Sequence, residues 1–151
     1  MIELRLHRRK TNFRWVFGQS LCLGMLRLIA DGNRRWAREK GLSASAGHEA
    51  GVLLLRQLIE LCCRWGIKVL TVFIFSCDNW SRSKVEINFM MSLFERLIFS
   101  ESEVEKFSRE DIRMSVIGDT SKLPKPLQGL INNAEETTKY NSGLQLILAL
   151  N

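Results

Sequence analysis

Apolar and polar positions along the chain switch between two periods. From Ala46 to Trp65 the apolar residues Val52, Leu55, Leu58, Ile59 and Cys62 recur at helical spacing, and Gly66 follows as a terminator. Lys68 to Phe75 is instead dense in β-branched and aromatic residues, which predicts a strand bounded by Gly66 and Ser76. That run does not alternate, so both of its faces are expected to be covered. Leu26 to Ala30 predicts a short buried strand, and Arg34 to Lys40 a brief helix stopped by Gly41.

Beyond Phe75, Ser76 to Ser83 reads as a polar loop carrying one large aromatic, Trp80. Lys84 to Phe99 repeats apolar residues at Ile87, Met90, Met91, Phe94, Leu97 and Ile98, an amphipathic helix of about four turns. The charged stretch from Ser100 to Asp111 is expected to be an exposed helix or loop. Ile112 to Ile117 alternates as a strand and closes at Gly118 and Asp119. Pro124 and Pro126 open a helix that runs through Tyr140, and Asn141, Ser142 and Gly143 turn the chain into a last strand, Leu144 to Leu150. Helical and strand patterns in this alternation predict an α/β fold, a parallel β-sheet flanked by helices. A sheet cut after Leu150 is expected to expose an unpaired edge.

Composition narrows the class without changing that picture. A chain of 151 residues with 46% hydrophobic residues and 2 prolines has enough apolar surface to offset the ordering of its backbone, which excludes general disorder. The formal net charge is +6, but residues 1 to 28 hold six Lys and Arg against Glu3 and so account for +5 of it. The expected organisation is therefore an atypical basic arm over residues 1–28 and one domain over residues 29–151. As a tail the arm is simply solvated; its other readings are a contact for nucleic acid or acidic lipid, or an organelle address. No apolar run reaches the ~20 residues that a bilayer crossing needs, and no small-residue cleavage site follows the run from Trp15 to Ala30. Cys22, Cys62, Cys63 and Cys77 include no C-x-x-C spacing, which points to a reducing compartment and not to a zinc set.

In a parallel sheet, ligands bind beyond the carboxyl ends of the strands, so two strand-to-helix loops hold the candidate chemistry. Asp31-Gly32-Asn33-Arg34-Arg35-Trp36 combines a glycine that lets backbone approach a ligand, a helix start, and two guanidinium groups, a set suited to phosphate. A carboxylate such as Asp31 fits beside a diphosphate when a hard cation, Mg²⁺, bridges the two; the alternative is an Asp N-cap on an ordinary helix. The second loop, Ser76-Cys77-Asp78-Asn79-Trp80-Ser81-Arg82, offers a hydroxyl, an amide, an indole and a guanidinium after the most apolar strand, or else a capped turn with Trp80 packed on the core. His48 opens the long helix and, alone, reads equally as a surface or capping histidine.

Taken together, DGNRRWA at Asp31 to Ala37, Gly47-His48 beginning eleven positions after Trp36, FSCDNWSR at Phe75 to Arg82, VIGD at Val116 to Asp119, and LALN at the end resemble the cis-prenyltransferases. That family includes undecaprenyl and dehydrodolichyl diphosphate synthases and short-chain plant enzymes. The resemblance implies Mg²⁺-dependent transfer of an allylic prenyl diphosphate onto isopentenyl diphosphate with a Z double bond. It implies that Asp31 binds the metal and assists loss of the diphosphate, that Gly32, Asn33, Arg34 and Arg35 hold that diphosphate, and that Trp36 lines the substrate site. His48 matches a histidine near the phosphate. Ser76, Cys77 and Asp78 match a substrate-contacting segment, Asn79 a proton acceptor, Trp80 and Arg82 substrate-positioning residues, and Glu86 an acidic position on the next helix.

A homodimer, contact with a membrane surface, and a plastid or a cytoplasmic and endoplasmic-reticulum location are further implications of the resemblance. The chain departs from the pattern at Cys22 to Ala30, at Ala44, where bacterial relatives carry a basic residue, and at Ser83 in place of proline. Relatives continue past Asn151 with the groups that hold isopentenyl diphosphate, so the chain reads as a C-terminally truncated, N-terminal part with little or no activity alone. A non-catalytic partner subunit is the rival reading. The domain itself is not expected to bind nucleic acid; a module built on the basic arm is the remaining alternative.

Overall fold

Polar edges and apolar faces settle how these elements assemble in the computed structural model, which describes residues 24–150. The elements are β1 (Met25–Ile29), α1 (Asn33–Glu39), α2 (Ala44–Arg64), β2 (Val69–Phe75), a 3-10 turn (Cys77–Ser81), α3 (Lys84–Leu97), α4 (Glu101–Arg109), β3 (Ile112–Ile117), α5 (Lys125–Thr138) and β4 (Leu144–Leu150). All strands pair in parallel in the order β1-β2-β4-β3. The parallel α/β expectation thus holds, and each strand lies within a residue or two of its predicted span. Residues 1–23 of the basic arm lie outside the described residues, while Arg27, counted with the arm, belongs to β1.

Register places Leu26, Leu70, Leu146 and Met114 in one row across the sheet, and Leu28, Val72, Leu148 and Val116 in the next. Every fully buried strand side chain falls on this one face, in a single core with buried residues of α2, α3, α4 and α5. The opposite face of β2, with Val69, Thr71 and Phe73, is only half-buried, which corrects the expectation that both faces are covered. An unbroken apolar run was a misleading sign, because Thr71 and Phe73 tolerate the half-wet face.

Two further expectations change. The charged stretch after Ser100 is a helix docked on the core: Val104 and Phe107, three apart on α4, are 1% and 4% exposed. Two apolar residues among charges are too few to show a period. The last strand is not an edge either, since β4 pairs with β2 on one side and β3 on the other. The two edges are β1 and β3, and α5 closes the β3 edge: Met114 N–H donates to Thr138 Oγ1 at 3.0 Å and Val116 N–H to Glu135 Oε1 at 2.7 Å.

The turn before β4 is locked from the same side. Asn141 Nδ2 donates to the carbonyls of Phe107, Ser108 and Ile112, and Asp111 accepts from Ser142 N–H at 2.8 Å. Cys62, Cys63 and Cys77 are free thiols; burial, with Cys63 beside it, pushes Cys62 up to about 11, so it is inert at neutral pH.

Thr138 has 0% exposure and also donates to Ala134 O at 2.8 Å, so it serves β3 and α5 together. Thr138→Val keeps the shape and leaves the Met114 N–H without an acceptor. Chemical denaturation should show a loss of roughly 1–3 kcal/mol. A loss under about 0.5 kcal/mol would mean that water reaches this edge and that α5 does not close it.

Candidate active site

β1 and β2 are neighbours and parallel, so the loops that leave their carboxyl ends lie side by side. At the first, Gly32 takes φ 88°, a left-handed conformation open to glycine, and acts as the N-cap of α1. Asp31 is therefore not the cap. Its Oδ1 accepts the Gly32 N–H at 2.6 Å, and its Oδ2 lies 3.3 Å from Arg35 Nη2, with 79% of the side chain exposed. α1 has only seven residues, so the cationic character of this loop rests on Arg34, Arg35 and, one turn on, Arg38.

At the second loop, Asn79 Oδ1 accepts the Ser76 N–H at 3.0 Å while Asn79 N–H donates to the Ser76 carbonyl at 2.9 Å, a reciprocal bond that closes the 3-10 turn. Beyond that bond Asn79 retains its Nδ2–H donors and the second acceptor lone pair of Oδ1. Trp80 packs edge-on against Phe75 at 4.9 Å between ring centres, and Phe75 packs likewise on Phe94 at 6.3 Å. The Trp80 Nε1 is buried without a hydrogen-bond partner among the described residues. These aromatic contacts pin the turn to the core, and with it Asn79 and Arg82.

Glu86 joins the segments. Its Oε1 receives Arg82 Nη1 at 2.8 Å and pairs with His48 Nε2 at 3.0 Å, with Arg34 Nε at 3.7 Å. Three groups from α1, α2 and the segment before α3 thus meet one oxygen of a carboxylate that is 15% exposed. Burial pushes this carboxyl up, but the His48 hydrogen bond and the Arg34 and Arg82 charges outweigh it and hold Glu86 below the ordinary carboxylate value. Ser83 Oγ accepts the Glu86 N–H at 3.3 Å and so starts α3 at the right place.

A cavity of about 730 Å³ opens at this junction. Asp31, Gly32, Asn33, Arg34 and Arg35 line it from the first loop, Asn79 and Arg82 from the second, and His48 from α2. Farther along, its wall is apolar, with Leu55, Leu58, Leu61, Met90, Phe94 and Ile98 from α2 and the α3 region. Trp36, Ser76, Cys77, Asp78 and Trp80 are not among the lining residues: Trp36 is half-buried on α1, Ser76 and Trp80 support the turn, and Cys77 and Asp78 are exposed.

The residues that the sequence reading did not single out are Arg38 and Gly51. Arg38 lies four positions after Arg34 on the same helix face, a spacing visible in the sequence. Gly51 has the same relation to Gly47. Among the described residues no three His, Cys, Asp or Glu side chains group as a metal cage. Asp31, exposed and single, suits a hard cation held jointly with phosphate oxygens, the usual manner for Mg²⁺.

The family model for undecaprenyl diphosphate synthases matches residues 29–151. Cis-prenyltransferase 4, chloroplastic, of Solanum lycopersicum is 58% identical over 124 residues, which are 82% of this chain and 40% of that protein. Dehydrodolichyl diphosphate synthase 2 of Arabidopsis thaliana is 52% identical over 123 residues, 82% of this chain and 39% of that one. Among solved structures, lavandulyl diphosphate synthase from Lavandula x intermedia, in complex with dimethylallyl diphosphate, superposes with a TM-score of 0.78 at 38% identity, over 84% of this chain and 54% of that one. The chain spans about two fifths of the length of these curated relatives. On the motifs, the parallel sheet and these matches, the chain belongs to the undecaprenyl diphosphate synthase family, the cis-prenyltransferases.

Proposed function

We propose that the cavity binds an allylic prenyl diphosphate, as part of an enzyme that transfers the allylic group to isopentenyl diphosphate and forms a Z double bond. The observation that carries this reading is a cationic mouth of Arg34, Arg35, Arg38 and Arg82 set on a long apolar space. A prenyl diphosphate divides in the same way, into an anionic head and a hydrocarbon tail. A non-catalytic subunit would have no use for an exposed carboxylate among these cations.

In the reaction, the bond from the allylic carbon to the diphosphate oxygen breaks and its electron pair leaves with the diphosphate. The terminal alkene carbon of isopentenyl diphosphate bonds to that allylic carbon, and a proton passes from the methylene beside the former alkene to the departed diphosphate, which sets the new double bond. Arg34, Arg35 and Arg82 stabilise the charge that grows on the leaving group. Asn79 serves through its Nδ2–H donor and through the second lone pair of Oδ1, the first being taken by the Ser76 N–H, so it keeps the proton-acceptor role as a relay to the departed diphosphate. His48 acts through Glu86, holding Arg82 in place. Asp31 would hold Mg²⁺, which would supply Lewis-acid neutralisation of the leaving group when bound. The chloroplastic tomato relative supports a plastid location, and homodimerisation and contact with a membrane surface belong to the same proposal.

Calorimetric titration of the full chain with farnesyl diphosphate and with inorganic diphosphate tests the reading. Farnesyl diphosphate should bind more tightly, at roughly 0.8 kcal/mol for each buried methylene. Equal affinity for the two, or no binding of farnesyl diphosphate, would contradict it. Arg35→Ala should weaken binding with or without Mg²⁺ by roughly 1.5–3 kcal/mol. Asp31→Asn should remove mainly the Mg²⁺-dependent part and, without metal, relieve repulsion from the diphosphate. Equal losses in both variants regardless of metal would mean that Asp31 only orders the Gly32 turn.

The lowered Glu86 carboxyl gives a pH signature. Stability from its ionised form is present above its ordinary value of 4.5 and is lost as the pH falls through the lowered value. Glu86→Gln should therefore lower the melting temperature most near neutral pH, and the gap to the wild type should close in acid. A gap of the same size at about pH 3 and about pH 7 would show that the charge of Glu86 holds nothing together.

A further inference from the structure

Two glycines of α2 lie where α1 crosses it. We propose that Gly47 and Gly51 form a seat on α2 that positions Asn33, and through it the loop from Asp31 to Arg35, for the diphosphate; the proposal rests on the functional reading above. The two glycines are one turn apart and face the same way. A Cβ on Gly47 would run into the Asn33 carbonyl oxygen and reach the Ala37 Cβ at 2.9 Å. A Cβ on Gly51 would meet Asn33 Nδ2 at 2.5 Å and Cγ at 2.9 Å. Both approaches are closer than side chains tolerate, so one position seats the backbone of Asn33 and the other its amide.

Glycine weakens a helix interior, which makes two in one helix face a feature that needs a local reason. Gly129 on α5 is the contrast, because a Cβ there would meet nothing within 4 Å. Asn33 supplies the second half of the argument. Its side-chain amide makes no hydrogen bond among the described residues, and it lines the cavity together with Gly51. An amide without a bond to hold it keeps its place by shape alone, and its polar atoms remain available to a phosphate. Gly47 and Gly51 are thus positioning residues that act through Asn33.

Alanine variants of the full chain separate the seat from plain helix propensity. Gly129→Ala should raise the melting temperature, as alanine does at an unhindered helical site. Gly47→Ala, whose obstacle is backbone, should lower it by several degrees, and Gly51→Ala should lower it less, because the Asn33 amide can swing aside. Adding Asn33→Ala should restore Gly51→Ala, whose obstacle is a side chain, and should not restore Gly47→Ala, whose obstacle is backbone. With farnesyl diphosphate, Gly51→Ala should weaken binding about tenfold, equivalent to ~1.4 kcal/mol. The double variant Gly51→Ala with Asn33→Ala should melt normally and still bind no better than Asn33→Ala alone.

A higher melting temperature in Gly51→Ala, or its binding held within about twofold of wild type, would overturn the proposal. So would rescue of both glycine variants by Asn33→Ala. If Gly51→Ala fails to fold, the folded double variant carries the comparison. Wild-type protein that binds no prenyl diphosphate would sink the functional reading instead, and the pattern of melting temperatures would then support or overturn the seat on its own.

Discussion

The guanidinium groups of Arg34 and Arg82 cannot be held together at one cavity mouth unless something offsets their mutual repulsion, and one carboxylate does so here. Glu86 stands where α1, α2 and the start of α3 converge, and it binds Arg34, His48 and Arg82 through a single oxygen. At 15% exposure the interaction is less screened than a surface pair, and removing the carboxylate would leave cations facing one another. The arrangement also leaves the arginines with unused donors, since each guanidinium has five and Glu86 engages few of them. The proposed diphosphate would therefore meet oriented cations that need little rearrangement, which is the condition for stabilising charge as it develops.

The sheet determines why these segments can converge. Parallel pairing of β1 with β2 sends two loops out of the same carboxyl end of the sheet, and buried aromatic packing fixes the second of them. The long α2 then contributes to both ends of the cavity, polar at His48 and apolar through Leu55, Leu58 and Leu61. Buried leucines of β4 and the α5 cap on β3 tie the far half of the sheet into the same core.

Much of this was legible in the sequence because the signals are local. Helical spacing in α2 and α3, the β-branched run of β2 and the Gly and Pro punctuation located nearly every element. Asp31 to Arg35 and Asn79 to Arg82 stood out as polar groups placed after apolar strands. The misses share a different cause, which is that they depend on partners distant in the chain. Burial of α4 depends on Val104 and Phe107 finding the core, the position of β4 depends on strand order, and the role of Glu86 depends on residues 38 and 52 positions away. Of the two readings open for Asp31, the helix cap falls away because the left-handed Gly32 takes that position. Trp80 stood out as the one large aromatic of a polar loop, but its packing on Phe75, one of the two readings open for it, depends on the fold.

The central claim is that the cationic mouth and the apolar space hold one molecule, with its head and tail divided between them. A crystal structure of the chain grown with farnesyl diphosphate and Mg²⁺ addresses it most directly. The account places the diphosphate within hydrogen-bonding distance of Arg34, Arg35 and Asn33, with the tail running between α2 and α3 past Leu58 toward Phe94. Density for the ligand on another surface, or a diphosphate at the mouth whose tail turns away into solvent, would contradict it.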